Sequence, residues 1–371
     1  MSAVEPVLAQ LAAQAAAPLH EALVSAAVRR SLGSTGIPYR LDRFGNIIAH
    51  YRAGAPRFGF ALVAHMDHPG FEIARGRRKE QQAMVLGGVA RSGLIRGAPL
   101  RLFTAGGEIT GRVAALAPQR RDGRPARFTF TADGLVDDGA WGVWGLSDFE
   151  PRGDVLHLRA ADDLAGCAIT LSALAALAAQ AADADVYGVF TRAEEIGLVG
   201  ASLVARQQIV PKETIVVSLE ASRQLPGAEL GKGPVIRTGD LRRTFDFEAE
   251  QFLHAGRDVL AEQDPPRAVQ RQLMYGGACE ATPFSAFGYR ATGIALPLGN
   301  YHNQGENGLL EAEYIHRDDL AGALELVLAV IDRSRRPLSH AYRDLLERRM
   351  KTYRARLAET ALDAAAGRRN P

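Results

Sequence analysis

The chain has 371 residues, a formal net charge of +2, 47% hydrophobic and 23% charged residues. That length accommodates one large domain or two moderate ones around a sizeable core. The balanced charge, with arginines spread along the chain, excludes recognition of nucleic acid through a basic patch.

Taken in order, residues 4 to 31 are Ala- and Leu-rich with helical periodicity, and Gly33 to Pro38 breaks the pattern. Tyr39 to Tyr51 predicts two short strands about a Gly45-Asn46 turn. Phe58 to Ala64 is a buried strand that delivers His65, Asp67 and His68 at its end. From residue 72 to 153 the helical period disappears and Gly punctuates short apolar runs, which predicts a small β-barrel or sandwich inserted into an α/β domain. Trp141 and Trp144, near its end, are expected to pack.

The α/β pattern resumes at Asp154. Val155 to Leu158 is a strand leading to Asp162 and Asp163, and a helix follows from Leu164 to about Ala181. Val186 to Phe190 is apolar on both faces, as in a buried strand, and opens onto Glu194 and Glu195. Thr214 to Leu219 ends in Glu220; residues 225 to 240 read as Gly-rich loop, and 241 to 272 carry mixed signals. Met274 to Phe287 reads as loop into helix, Ala291 to Leu298 as the last strand, with His302 beyond it. Asp318 or Asp319 is expected to cap a closing helix, with His316 at the surface, and a basic helix spans about Ser339 to Ala365. His157 is read as a core histidine.

Cys167 and Cys279, the only cysteines, make no disulfide framework and fit a reducing cytosol. The first residues carry no basic stretch ahead of an apolar core, and no uninterrupted apolar run reaches the roughly 18 residues of a membrane span. A cytoplasmic protein without membrane or nucleic-acid partners is expected.

Strand ends thus deliver His65, Asp67, Asp162, Asp163, Glu194, Glu195, Glu220 and His302. Mixed imidazole and carboxylate sets suit zinc, cobalt or manganese rather than calcium or magnesium. Taken as one ligand from each strand end, five exceed what one catalytic zinc uses but match two ions sharing a carboxylate, and a further acid remains to carry a proton.

The stretches AHMDHPGF, RAADDLAG, FTRAEEIGLVGA, LGKGPVI and PLGNYH resemble, in order, the signature blocks of the tetrahedral aminopeptidases. These are dinuclear-metal glutamyl aminopeptidases, also once called cellulase-M-like proteins. The resemblance runs from about residue 42 to 330. It implies a mixed-sheet α/β zinc-peptidase domain (1–71 and 154–336) with an inserted small β-barrel (72–153) used in dimer formation. Residues 337–371, a basic helical extension, have no counterpart in it. It further implies His65 and Glu220 on one metal, Glu195 and His302 on the other, and Asp162 as the bridge. Glu194 becomes the general base, and Asp67 the carboxylate that orients the His65 imidazole. His302 is preferred to His316 because it stands five residues after Pro297, the family register. Two divalent ions, zinc first with cobalt or manganese as alternatives, a peptide substrate and a homo-oligomer follow from the same likeness.

Two positions depart from the family. Glu220 stands where Asp is usual, and Gly276 to Ala281 replaces a Gly-Gly-Thr-Asp-Ala block bordering the substrate. Glu280 is therefore a candidate substrate contact, as is His68, for which a plain rim position is the preferred reading. The altered block keeps open a deacylase of N-acyl amino acids. A non-catalytic assembly protein is the remaining alternative. Glycoside hydrolysis is disfavoured, since adjacent Glu194 and Glu195 cannot flank one bond from opposite sides.

Overall fold

The computed structural model describes residues 3–73, 81–88, 95–116, 127–336 and 341–366. Residues 3–335 lie in one compact unit and the chain from Arg336 in another.

Two helices open the chain, α1 (Val4–Ala12) and α2 (Ala22–Ser34). The single helix expected over 4–31 is broken at Pro18, which lacks an N–H, and at Leu19, whose φ is 71°. β1 (Tyr39–Leu41) and β2 (Ile47–Ala53) form the expected hairpin, followed by β3 (Gly59–His65).

A closed antiparallel barrel comes next, built from β4 (Gly70–Ile73), β5 (Gln81–Leu86), β6 (Pro99–Thr104), β7 (Gly107–Leu116), β8 (Arg127–Ala132) and β9 (Trp141–Trp144). Its core is apolar, with Phe71, Leu100, Leu102, Phe128 and Trp144 packed together. Trp141 stacks outside that core between His20 and Phe103, at 5.2 and 4.4 Å. β10 (Glu150–Arg152) does not join the barrel; it pairs with β11 (Val155–Leu158).

The remaining elements are α3 (Ala161–Ala179), β12 (Ala184–Thr191), α4 (Val199–Arg206), β13 (Ile215–Arg223), β14 (Val235–Asp240) and α5 (Phe247–Ala261). β15 (Gln270–Met274), α6 (Ala281–Ala286), β16 (Ala291–Leu298), β17 (Glu313–His316), α7 (Arg317–Arg333) and α8 (Ala341–Ala366) complete the chain. The main sheet has the order β1-β2-β12-β3-β13-β16-β14-β15. Its centre, β12-β3-β13-β16, is parallel, and both flanks add antiparallel pairs. Parallel strands point their carboxyl ends the same way, so residues just beyond β3, β12, β13 and β16 converge on one edge. α3 is long and apolar enough to cross a membrane, but it is buried against this sheet.

Several local expectations change. Residues 235–240, expected in a loop, form β14, because Val235 and Ile236 are buried between β15 and β16. The ambiguous stretch after 240 contains α5, capped by Asp246, which accepts from the Ala249 N–H at 2.8 Å. Neither Asp318 nor Asp319 caps α7. His316 does so by accepting the Asp318 N–H at 3.1 Å, while buried Asp319 accepts from Gly231 and Gly233 at 2.7 Å each. His157 is no core residue; it is half-buried beside Tyr314, and burial with nearby Arg152 lowers its pKa.

Candidate metal centre

β3 ends at His65, which is fully buried. Its Nδ1 donates to the Asp67 carbonyl at 3.0 Å, which turns Nε2 toward the acids of the site. Nε2 lies 3.2 Å from Asp162 Oδ1, 3.7 Å from Glu220 Oε1 and 4.0 Å from Glu194 Oε2. On the other side of Asp162, Oδ2 is 3.7 Å from His302 Nε2, which is itself 3.4 Å from Glu195 Oε2. Two sets of ligand atoms result, His65-Asp162-Glu220 and Asp162-Glu195-His302, with the atoms of each set within 4.8 Å of one another. Asp162 belongs to both, one oxygen to each side. Glu194 belongs to neither.

Asp67 works differently from expectation. The His65 ring is oriented by the Asp67 backbone carbonyl, with the carboxylate 3.7 Å away. That carboxylate instead accepts the Glu194 N–H at 3.0 Å and the Glu195 N–H at 3.1 Å, holding the turn that presents both acids. Glu21 grips the same turn, accepting the Ala193 N–H at 3.0 Å and Arg192 Nε at 2.7 Å. Gly200 lets the chain double back: a Cβ there would press into the Arg192 backbone and Asn46.

His68 is not at a rim. It is buried, Nδ1 donates to the Asp162 carbonyl at 2.5 Å, and Nε2 sits 2.9 Å from Asn303 Oδ1. It therefore braces Asp162 rather than facing open space. Glu280 is likewise fully buried, accepting from Thr191 Oγ1 at 2.9 Å and Ser218 Oγ at 3.3 Å. Its neighbours Gly276, Gly277 and Ala278 line a pocket beside Glu220, together with Arg223 and Tyr301. Asp163 accepts the Gly166 N–H at 3.0 Å and so closes the first turn of α3.

Sequence reasoning missed Glu313. From β17 it accepts the Asp162 N–H at 3.0 Å and the His302 N–H at 2.8 Å, tying those two residues together. A lone acid on a strand carries no motif; its only signal is its position at the inward, fully buried register of β17. Arg237 was also overlooked. It is 1% exposed, donates to Ser222 Oγ at 3.0 Å and the Gly277 carbonyl at 3.3 Å, and its Nε has no partner.

The electrostatics are those of a cation site. Burial, reinforced by neighbouring carboxylates, raises Glu194, Glu195 and Glu313 well above the carboxylate range. Glu220 and Glu280 rise to about 7 for the same first reason. Burial alone would push His65 down, but its hydrogen bond to Asp162 and the surrounding carboxylates of Asp67, Glu220 and Glu194 hold it well above the usual value. Burial lowers His302 to about 4, so its ring is neutral and fit to ligate. Among the described residues no Lys or Arg is ion-paired with Asp162, Glu194, Glu195 or Glu220, and buried Glu195 Oε1 and Glu220 Oε2 have no hydrogen-bond partner. Orphaned acid oxygens of this kind are costly unless a cation compensates them. The donor set fits two divalent ions.

Comparison with known proteins agrees with this geometry. The M42 glutamyl aminopeptidase family model matches residues 147–326. A lysyl aminopeptidase of Pyrococcus furiosus is 32% identical over 296 residues, 72% of this chain and 81% of that protein. The TET1 peptidase of Pyrococcus horikoshii, described as assembling into a tetrahedron or a large octahedral shell, superposes with a TM-score of 0.73 at 21% identity, covering 89% of this chain and 99% of that one. An aminopeptidase of the archaeon Desulfurococcus kamchatkensis gives 0.73 at 22% identity, covering 89% and 94%. The chain belongs to the M42 glutamyl aminopeptidase family of dinuclear metallopeptidases and is a metal-dependent aminopeptidase.

Proposed function

We propose that the chain removes N-terminal residues from peptides using Glu194 as general base, with two zinc ions held by His65, Asp162, Glu195, Glu220 and His302. The observation that carries this reading is Asp162 shared between two candidate ligand sets while one half-buried acid beside them, Glu194, is left over. When bound, such a pair of cations supplies Lewis acidity toward a scissile carbonyl and an acidified water. Glu194, with its raised pKa, is suited to take a proton at Oε2 and return it to the leaving amine. Asp67 and Glu21 fix the turn on which that carboxylate stands. Glu313, His68 and Asn303 immobilise Asp162, so that its two oxygens keep their directions. Imidazole and carboxylate donors favour zinc over an all-oxygen cation, with cobalt or manganese as substitutes.

A cytoplasmic location is part of the proposal, supported by two free, buried cysteines. So is a homo-oligomer in which the barrel insert joins subunits, supported by the tetrahedral or octahedral assembly named for the Pyrococcus horikoshii TET1 peptidase. Elemental analysis of purified protein with a panel of aminoacyl nitroanilides tests the reading. Two zinc equivalents and chelator-sensitive release of the chromophore are expected. Protein that binds no transition metal, or acts only on N-acyl amino acids, would overturn it.

A further inference from the structure

α8 lies beyond the family match, which ends at residue 326, and belongs to a compact unit of its own. Leu346, Met350, Tyr353 and Leu357 are 40, 61, 60 and 73% exposed. Their spacing of four, three and four is that of a heptad seam, not of scattered surface apolar residues. Between 343 and 361 the other side chains are charged, polar or small, apart from half-buried Leu345. A seam two positions wide in seven fits one opposing helix; a globular face or a lipid surface takes a broader stripe. A lone helix of this kind has little reason to stay ordered in water without such cover.

We propose that α8 pairs antiparallel with α8 of a second copy of this chain. One register closes the seam on itself. Leu346 faces Leu357, and Met350 faces Tyr353, each twice by symmetry, so all four exposed side chains are covered. The flanking charges select the direction. Antiparallel pairing sets Glu347 beside Arg354 of the second copy; the parallel alternative sets Arg349 against Arg354 with no attractive pair. Antiparallel packing does bring Arg349 near Arg356, a repulsion that parallel pairing avoids only by creating the other. Glu347 sits 3.3 Å from Arg343 in its own helix, an exposed pair worth little by itself. Eight such side chains bury far less than the roughly 1,200 Å² of a stable interface. The pairing therefore rests on the homo-oligomer proposed above, whose subunits hold the helices at high effective concentration.

Cysteine cross-linking of the full-length protein tests the register. Cys167 and Cys279 are completely buried and do not compete. Leu346→Cys mixed with Leu357→Cys and mildly oxidised should give a disulfide-linked dimer. Either variant alone should not, because like positions lie 11 residues out of register, roughly 16 Å along the axis. Adding Tyr353→Glu to both variants should abolish the link, separating pairing from chance collision. A disulfide in Leu346→Cys alone would overturn the antiparallel arrangement. An oligomer without the mixed disulfide would overturn the pairing alone, and a monomeric wild-type mass would overturn the oligomer together with it.

Discussion

In the barrel, Phe71, Leu100, Leu102, Phe128 and Trp144 meet with almost no polar atom among them. At the carboxyl edge of the main sheet, His65, Asp67, Asp162, Asp163, Glu220 and Glu280 are just as deeply buried. The barrel spends its burial on apolar area, about 25 cal/mol for each Å² removed from water. The sheet edge instead stores electrostatic cost, with carboxylates raised by burial and by one another, and with orphaned oxygens on Glu195 and Glu220. A region that breaks the packing rule within a protein that otherwise keeps it marks where selection favours chemistry over stability.

The sharpest way to break this contrast is Glu194→Gln. The substitution keeps the shape of the side chain and removes its base, so kcat should fall by about 10²–10⁴ with metal content at two equivalents. The metal-free variant should melt no lower than the parent, since a carboxyl whose ionisation burial disfavours has been replaced by a neutral group of the same shape. Nitroanilide turnover and calorimetry check both halves; an unchanged kcat would end the assignment of Glu194.

Phe128→Ala tests the other region. Phe128 is fully buried against Phe71 at 5.1 Å and Trp144 at 6.2 Å. Deleting that ring should cost about 3–5 kcal/mol by denaturant unfolding. Zinc affinity should be unmoved, because no ligand rests on β8. A loss of metal in this variant would show the two regions to be one cooperative device.

How far this contrast could be read beforehand differs between the two regions. The candidate site residues were legible where they follow an apolar run whose period changes at the strand end, as with His65 at the end of β3 and Glu194 after β12. The barrel was legible as Gly spacing, but its edges were not. Gly70 opens β4 directly from the ligand turn, and Glu150 pairs with β11, so the boundaries lie in hydrogen-bond partners rather than in composition. Glu313 and the carboxylate role of Asp67 were illegible for a related reason. Each acts through backbone N–H groups distant in sequence, and no residue pattern reports which amide a carboxylate will find.

The metal-free protein offers a gentler probe of the same stored cost. Glu220 and Glu280 titrate near 7 when folded against about 4.5 unfolded. A carboxyl that holds its proton more tightly in the folded state loses stability as pH rises from its unfolded pKa through its folded one. Each therefore contributes a loss of stability as pH rises from about 4.5 to about 7. His65, also raised, changes in the same direction at higher pH. The melting temperature of chelated protein should therefore fall by several degrees across that window. Zinc should reverse the slope, since its ligands must be deprotonated and bound metal stabilises the fold by mass action. A flat apo profile would mean that the acids are compensated within the protein.

The smallest effect separates two histidines that sequence alone leaves side by side. His302 lies against Asp162 and Glu195, whereas His316 spends its Nδ1 on the Asp318 N–H at the start of α7. His316→Ala should thus cost about 1 kcal/mol, the ordinary value of a lost N-cap, with both metals retained. His316→Asp should restore or exceed the parent by a few tenths of a kcal/mol, because its carboxylate can accept the same N–H and carries negative charge at the positive end of the helix. His302→Ala should behave in the opposite manner, releasing one zinc of the two while α7 keeps its cap. The pair is decided by measuring zinc stoichiometry and unfolding free energy on the same samples. Loss of metal from His316→Ala, with both ions retained by His302→Ala, would reverse the assignment.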